Sequence, residues 1–283
     1  MLLKQDLTLF TQRTIHASTI FQRAQSRAMS GDCKLIGLIG GVGPWAGLDV
    51  HSKILEESSY VREQDCVSVM HLSFPGKYTD RTDYLLGKTI INPAHEFIRE
   101  LEFLERAGTD SAAIICNTAH ADPIMNVITE GMSGLALTYV NIIRETQAAL
   151  EQDGIRRAGL LATLGTYSLD LYQQGFSGEM LHPSNSDQLL VHNVIYNRQN
   201  GLKTHYPNHS EELYAALVSV ANNLISQGAE ALVLGCTELP LLSELQRYVG
   251  IPVYDPNRIL AKALIKTAYQ PAIQSTTEHY YRA

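Results

Sequence analysis

Hydrophobic residues occur in short continuous runs along most of the chain, and many of these runs end in glycine or small polar residues. "KLIGLIGGVGP" (34–44) and "RAGLLATLGT" (157–166) are two such runs, and a segment with helical spacing follows the first at about 46–58. This order is typical of a strand, a tight turn and a helix. Gly37 and Gly159 hold equivalent places, 159 − 37 = 122 positions apart. The same kind of unit therefore begins twice.

A second pair of segments repeats at nearly the same offset. "LERAGTDSAAIICNT" (104–118) and "LISQGAEALVLGCTE" (224–238) each contain a helix end, a glycine, an apolar run and a cysteine. The cysteines, Cys116 and Cys236, are 236 − 116 = 120 positions apart. The preceding glycines are separated by the same number, so the match extends beyond a single residue.

A third pair completes the repeat. "GLALTYVNIIRETQAAL" (134–150) and "IPVYDPNRILAKALI" (251–265) each read as a short strand that leads into a helix. Three paired segments indicate an internal duplication. Continuous apolar strands that alternate with amphipathic helices predict an α/β fold of two similar lobes, each a parallel sheet flanked by helices, related by a pseudo-twofold axis. The predicted divisions are an N-terminal extension (1–33), a first lobe (34–139), a second lobe (140–252), and a C-terminal helix and tail that pack on the first lobe (253–283).

Composition narrows the class of protein. The 283 residues are 45% hydrophobic and 18% charged, which suits one large or two modest cores. The formal net charge of −7, without a Lys/Arg cluster, argues against a nucleic-acid binder. No apolar run approaches the roughly 20 residues that span a bilayer. The four cysteines form no C-x-x-C pair, which argues against structural zinc. Four cysteines in a chain of this length do not indicate a disulfide framework, which favours a reducing, cytoplasmic location.

The first 33 residues differ from the rest of the chain. Apolar residues recur there with helical spacing among arginines, without the continuous apolar core of a secretory signal. The segment is interpreted as a helix lying on the domain or as a loosely ordered tail. Its few acidic residues and its Arg, Ser and Thr content also bear a weak likeness to an organelle transit peptide.

The two matched cysteines each follow a predicted parallel strand. Ligands of open α/β sheets bind beyond the carboxyl ends of the strands, so Cys116 and Cys236 are expected to face each other across one cleft. A cysteine that precedes a helix lies in a field that favours the thiolate, so we expect lowered pKa values. A thiolate on one face of a carbon can remove the Cα proton while a thiol on the other face supplies one, which inverts the centre. This chemistry requires neither a metal nor a pyridoxal cofactor.

Residues that follow each cysteine are suited to bind a substrate. Backbone N–H groups can hold a carboxylate, and Asn117, Thr118 and Thr237 can donate hydrogen bonds. His120 is either a proton relay or ligand, or a helix-face residue bonded to the backbone. The cysteines outside the repeat, Cys33 and Cys66, are interpreted as small buried side chains. The loop "GGVGP" lacks the G-x-G-x-x-G pattern, so a dinucleotide site is not favoured.

Five motifs follow one another in the order found in the aspartate/glutamate racemase family. They are "IGLIGGVGP", "DRTDYLLG", "CNTAH", "GLLATLGT" and "GCTELP". The chain resembles that family, and specifically its aspartate-racemase branch, from about 34 to 269. The resemblance implies a cofactor-independent amino-acid racemase with two facing cysteines, two similar lobes and a homodimeric assembly.

Position by position, the resemblance assigns roles to single residues. It makes Cys116 and Cys236 the catalytic acid and base, and it brings the backbone of Val42 close to the substrate. It implies that Arg81 binds the side-chain carboxylate, a task that suits a planar guanidinium; a salt bridge with a neighbouring aspartate is the alternative. The residues implied around the amino-acid head group are Asn117, Thr118, Thr237 and Glu238.

The chain also departs from parts of the family pattern. The glutamate-racemase branch usually has an Asp in its first glycine loop and a His after its second Cys-Thr, whereas this chain has "GGVGP" and Glu238. Some aspartate racemases carry a lysine where this chain reads "VIYNRQNG" (194–201), with Arg198 and Gln199. These differences argue against a cell-wall glutamate racemase and leave a broader amino-acid specificity open.

The function predicted from the sequence is inversion of the Cα of an acidic amino acid, above all aspartate. The alternatives within the same fold are a broad-specificity or glutamate racemase and a relative of hydantoin racemase or maleate isomerase. A non-catalytic two-lobed binder is the alternative from another class. The predicted partners are a small amino-acid substrate and a second copy of the chain.

Overall fold

The computed structural model describes residues 34–208, 211–242 and 244–269. It contains two four-stranded parallel sheets covered by helices, which confirms the predicted α/β fold with two lobes. The predicted N-terminal extension, including Cys33, and the end of the tail lie outside the described residues.

The first sheet has the strand order β2-β1-β3-β4, and all its strands are parallel. Its strands are β1 (Leu35–Gly40), β2 (Ser68–Ser73), β3 (Ser111–Ile114) and β4 (Thr138–Tyr139). The helices of this part are α1 (Pro44–Glu57), α2 (Arg81–Leu85), α3 (Ala94–Arg106) and α4 (Asp122–Gly131). Helix α1 begins two residues earlier than the sequence pattern indicated because Pro44 fits the first turn of a helix, where no backbone N–H is needed.

The second sheet repeats this arrangement in the order β6-β5-β7-β8. Its strands are β5 (Arg157–Ala162), β6 (Glu179–Leu181), β7 (Ala231–Gly235) and β8 (Val253–Tyr254). The helices of this part are α5 (Ile142–Gln152), α6 (Leu164–Tyr167), α7 (Asn185–Tyr196), α8 (Leu202–His205), α9 (Glu211–Ser226), α10 (Leu245–Tyr248) and α11 (Pro256–Tyr269).

Strand register agrees with the sequence repeat. Gly37 on β1 lies opposite Ala112 on β3, and Gly159 on β5 lies opposite Leu232 on β7. The differences, 159 − 37 = 122 and 232 − 112 = 120, are the offsets found in the sequence. The two sheets are therefore equivalent residue by residue in their central strands.

The same two glycines are fixed by packing. A Cβ on Gly37 would overlap the side chain of Leu104, and a Cβ on Gly159 would overlap Leu224 and its neighbour Leu232. Leu104 and Leu224 are themselves 120 positions apart and end equivalent helices, α3 and α9. Both glycines thus allow a helix to pack closely on its sheet.

Alternate residues of the central strands face different hydrophobic cores. One set packs into a central core that both lobes share; it includes Ile36, Leu38, Ala113, Leu160 and Val233. The other set packs into an outer core that belongs to one lobe; it includes Ile39 and Ile114 in the first lobe and Leu161, Leu232 and Leu234 in the second. This period of two is what a strand buried on both faces produces. The shared core joins the two sheets.

Helix α11 packs on α1 and α5 and also contacts strands of both sheets. Its residues Leu260 and Leu264 are fully buried in the central core. Strand β8 precedes it and pairs with β7, so the second sheet extends to Tyr254, whereas the sequence analysis ended the second lobe at 252. The division of the chain into domains stays a prediction.

Candidate active site

The two cysteines of the repeat lie just beyond equivalent strands. Cys116 follows β3 and Cys236 follows β7, and both side chains are buried, with 6% and 5% of their surface exposed. Each is followed by a short 3₁₀ turn, at Thr118–His120 and Leu239–Leu241, rather than by a regular helix. The first regular helix after Cys116 begins at Asp122 and the first after Cys236 at Leu245, so neither cysteine directly precedes a regular helix.

Glu238 is the closest polar partner of Cys236. The Cys236 Sγ lies 3.0 Å from Glu238 Oε2, and Thr237 Oγ1 donates to the same oxygen at 3.3 Å. The other carboxylate oxygen forms an ion pair with Lys203, in a site where the carboxylate is almost fully buried. Burial and the Glu238 charge raise the pKa of Cys236 well above its ordinary value. The prediction of a lowered pKa was wrong for this cysteine, because a carboxylate and not a helix terminus faces the sulfur.

Arg81 lies beside the other cysteine. It is 6% exposed and begins α2, and its guanidinium interacts electrostatically with Cys116. Burial opposes its charge, but Cys116, Tyr196 and Asp80 raise the pKa of Arg81 above its ordinary value. A surface salt bridge, the alternative interpretation of this residue, does not fit a buried side chain.

The carbonyl oxygen of Val42 connects the two halves of the site. Arg81 Nη2 donates to it at 2.6 Å and Lys203 Nζ at 3.3 Å. Interactions therefore run from Cys116 through Arg81, the Val42 carbonyl, Lys203 and Glu238 to Cys236. The structure thus brings together one cluster that contains both cysteines, the buried Arg81 and the partly buried Lys203.

Asn117 and Thr118 bridge the lobes beside Cys116. Asn117 Oδ1 accepts a hydrogen bond from Tyr172 at 2.8 Å. Thr118 Oγ1 lies 3.1 Å from the hydroxyl oxygens of both Thr163 and Thr166. The Thr118 hydroxyl is thus engaged with other threonines. By contrast, Asn117 Nδ2 is a buried donor that has no partner among the described residues.

His120 holds the Cys116 turn in place. Its Nδ1 lies 2.8 Å from the Cys116 carbonyl oxygen, which can only accept, so Nδ1 carries the proton. Its Nε2 lies 2.7 Å from the Tyr139 hydroxyl and therefore accepts from it. Burial lowers the pKa of His120 to about 4. This geometry favours the backbone-bonded interpretation of His120 over a proton relay.

Asn257 at the start of α11 braces the Cys236 turn. Its Nδ2 donates to the Thr237 carbonyl oxygen at 2.9 Å and to Asp49 Oδ2 at 2.7 Å. Asp49 in turn pairs with the buried Lys53 on the same helix, α1. The second cysteine is thus fixed from the first lobe through α1 and from the C-terminal helix.

Lys203 belongs to this cluster but was not among the residues predicted from the sequence. Arg198 and Gln199, named there in place of a lysine, are exposed, and Lys203 follows them on the four-residue helix α8. Lys77, which shares a loop with Arg81, is exposed and lies 4.2 Å from the ring centroid of Phe74. One signal was available: Lys203 is the only Lys or Arg between 199 and 246.

The residues that the structure describes contain no group of three or more His, Cys, Asp or Glu side chains arranged to hold a metal ion. Among these same residues, no helix is both long enough and apolar enough to cross a membrane.

The fold and the paired cysteines define a class of two-lobed α/β proteins in which each lobe contributes one buried thiol to the same cluster of polar side chains. The family model described as Asp/Glu/Hydantoin racemase matches residues 39–264, which is most of the chain. The chain therefore belongs to the Asp/Glu/hydantoin racemase family, and the predicted assignment to the amino-acid racemases, a group of isomerases, is confirmed.

Individual relatives agree with this assignment. The broad specificity amino-acid racemase RacX of Bacillus subtilis is 27% identical over 249 residues, which covers 83% of this chain and all of the relative. The solved aspartate racemase of Picrophilus torridus is 26% identical with a TM-score of 0.68, and the match covers 83% of this chain and 94% of that one. A glutamate racemase of Bacillus anthracis shares the fold at 18% identity with a TM-score of 0.58, covering 82% of this chain and 80% of that one.

Proposed function

We propose that the chain inverts the Cα of an acidic amino acid, with aspartate as the main substrate, by proton transfer between Cys116 and Cys236. The observation that carries this proposal is the placement of two buried cysteines at equivalent strand ends, linked through Arg81, Lys203 and Glu238. One sulfur removes the Cα proton and the other supplies a proton to the opposite face. The roles exchange for the other enantiomer, as microscopic reversibility requires.

Two cations, the buried Arg81 and the partly buried Lys203, support an acidic substrate. Both donate to the Val42 carbonyl, and their partial removal from water strengthens their attraction for a carboxylate. Two buried donors, Arg81 Nε and Asn117 Nδ2, have no acceptor among the described residues. Buried donors are normally satisfied, so oxygens of a bound amino acid would complete both groups.

A broader specificity is the second candidate. It is favoured by the relative from Bacillus subtilis, which is named a broad specificity racemase and aligns along its whole length. Arg81 and Lys203, by their charge, favour acidic substrates over a neutral amino acid or a hydantoin. A test of specificity therefore needs acidic and neutral substrates side by side.

The first prediction concerns both cysteines. The protein is incubated in D2O with each enantiomer of aspartate, glutamate and a set of neutral amino acids, and deuterium at Cα is measured by mass spectrometry. We expect deuterium in aspartate. Cys116→Ser and Cys236→Ser should each reduce racemisation by about a hundredfold or more, because a hydroxyl is a far poorer base than a thiol and general acid–base catalysis is worth about 10²–10⁴-fold.

Cys66→Ser is the matched control, because Cys66 is a free cysteine away from the cluster. It should racemise at the wild-type rate. A Cys236→Ser protein that folds, as judged by circular dichroism, and racemises as fast as the wild type would refute the two-base proposal. Absence of deuterium in every substrate would favour the non-catalytic binder.

We also propose that the protein acts in the cytoplasm as a homodimer. Large apolar side chains on the first lobe support a partner, since Val61 and Ile90 are 97% and 95% exposed. The three described cysteines are free, which is compatible with a reducing compartment. Light scattering on the purified chain tests the dimer, and a monomer at all concentrations would contradict it.

A further inference from the structure

The two cysteines of the repeat have opposite partners. Cys236 faces the Glu238 carboxylate, with Sγ 3.0 Å from Oε2, whereas Cys116 interacts electrostatically with the guanidinium of Arg81. An ionised carboxylate can only accept a hydrogen bond, and a guanidinium can only donate one. The duplicated chain thus places equivalent sulfurs beside groups of opposite charge.

Glu238 is ionised in this arrangement. Although burial opposes its charge, the charge of Lys203 and the hydrogen bonds from Cys236 and Lys203 lower the pKa of Glu238. Since the carboxylate has no proton of its own, the hydrogen bond to Cys236 requires a proton on the sulfur.

We propose that Glu238 is a positioning residue that holds the proton on Cys236, so that the enzyme without substrate carries a thiol there. This inference rests on the proposed racemase function and deepens it. The resting enzyme then has its proton donor at Cys236. The enantiomer whose Cα–H faces Cys116 therefore reacts in the direction in which Cys236 is the acid.

The proton balance of this direction is complete. The Cys116 thiolate takes the Cα proton and becomes a thiol, and the C–H electron pair stays on the substrate carbon. Cys236 then gives its proton to the opposite face of that carbon and becomes a thiolate. After product leaves, the Cys236 thiolate faces the Glu238 carboxylate, and their repulsion favours return of a proton to Cys236 and loss of one from Cys116 to water. The opposite enantiomer reacts with the form that exists before this return.

Cysteine labelling tests the assignment without any substrate. The thiolate and not the thiol is the nucleophile, so with iodoacetamide at neutral pH Cys236, whose proton Glu238 holds, should be alkylated at least about tenfold more slowly than Cys116. Peptide mass spectrometry separates the two sites. The two sulfurs are similarly buried, at 6% and 5% exposure, so access does not favour either. Equal labelling, or faster labelling of Cys236, would overturn the proposal.

Glu238→Gln tests the cause of the difference. A neutral amide can either accept from a thiol or donate to a thiolate, so the requirement for a proton on Cys236 is removed. The labelling rate of Cys236 relative to Cys116 should rise about tenfold or more. The same change at exposed Glu244 is the matched control and should leave the ratio unchanged. An unchanged ratio in folded Glu238→Gln would also overturn the proposal.

A second variant keeps the test decisive if the Glu238→Gln protein does not fold. Glu238→Gln leaves Lys203 without its carboxylate, so the double variant Glu238→Gln with Lys203→Met removes both charges. A rise in Cys236 labelling is expected there too, smaller than in Glu238→Gln because the charge of Lys203 lowers the pKa of Cys236, and its absence counts against the proposal. Labelling and Cα deuterium exchange are independent measurements. A protein that labels as expected but exchanges no deuterium would refute the racemase function and leave the protonation assignment intact.

Discussion

Arg81 and Lys203 donate to the same carbonyl oxygen but differ in the hydrogen-bond donors that remain for a substrate. Lys203 already pairs with Glu238, whereas Arg81 retains an unpartnered Nε among the described residues. A guanidinium can also bind a carboxylate through two parallel hydrogen bonds. Arg81 is therefore the residue from which we expect most of the recognition of a side-chain carboxylate.

Replacement of Arg81 by Ala should change substrate preference as well as rate. We expect kcat/KM for aspartate to fall at least about tenfold relative to kcat/KM for a neutral amino acid, which corresponds to about 1.4 kcal/mol of transition-state stabilisation. The reason is that only the acidic substrate loses a charge-assisted hydrogen bond. Steady-state racemisation of both substrates measures this ratio.

Arg198→Ala is the control for this experiment because Arg198 is an exposed arginine. It lies in the segment where some aspartate racemases carry a lysine. The control variant should leave the ratio unchanged. An equal decline in kcat/KM for acidic and neutral substrates with Arg81→Ala would mean that Arg81 acts only through Cys116 and does not bind the side-chain carboxylate.

The loop between β1 and α1 controls how closely the two lobes approach. Gly43, the residue before α1, has an extended backbone that any residue can adopt, with φ of 178°. Space is the constraint, because a Cβ at this position would overlap the Glu238 carboxylate. A glycine in the first lobe thus makes room for a side chain that follows the second cysteine.

Gly43→Ala should therefore impair catalysis without unfolding the chain. The added methyl group displaces Glu238 from Lys203 and Cys236, so kcat/KM for aspartate should fall at least about tenfold, a loss of about 1.4 kcal/mol. Gly76→Ala is the matched control, since a Cβ there meets nothing within 4 Å. A Gly43→Ala enzyme with wild-type kcat/KM would contradict this role for the loop.

Across the whole molecule, a single central core ties the lobes together, so local changes at the site affect global stability. His120 illustrates this, because it is buried and neutral between the Cys116 carbonyl and the Tyr139 hydroxyl. Its pKa is lowered from 6.5 to about 4 by burial. A folded-state pKa below the unfolded value means that protonation favours unfolding.

We accordingly expect His120 to make the fold sensitive to mild acid. Its contribution is present above pH 6.5 and is lost as the pH falls from 6.5 to about 4, for a total of about 3 kcal/mol. Denaturant unfolding at pH 7 and pH 5 measures the change, and about 2 kcal/mol should be lost over this interval through His120. His120→Asn should be less stable at pH 7 but should have a smaller pH dependence.

The exposed His95 provides the control. His95→Asn should keep the pH dependence of the wild type because its side chain is exposed at the start of α3. A His120→Asn protein whose stability falls with pH as steeply as that of the wild type would show that other groups cause the acid sensitivity. His51 and His71, whose pKa values burial also lowers, would then be the next residues to replace.

The sequence by itself determined the fold class and the equivalence of the two lobes. Apolar runs with glycine breaks predicted the strands, and the offsets of 120 and 122 reappear unchanged in the strand register. This worked because strand and helix periods, and a duplication, are written locally along the chain. The same local signals placed Cys116 and Cys236 beyond equivalent strands.

Only the tertiary structure decided what each cysteine contacts. Glu238 stands two residues from Cys236, yet its charge and position depend on Lys203 from α8 and on the space left by Gly43 from the other lobe. Burial then reverses the pKa shift that a local helix argument predicted for Cys236. Electrostatic environment is a sum over groups that are close in space and distant in sequence, so two matched motifs can carry sulfurs with opposite partners.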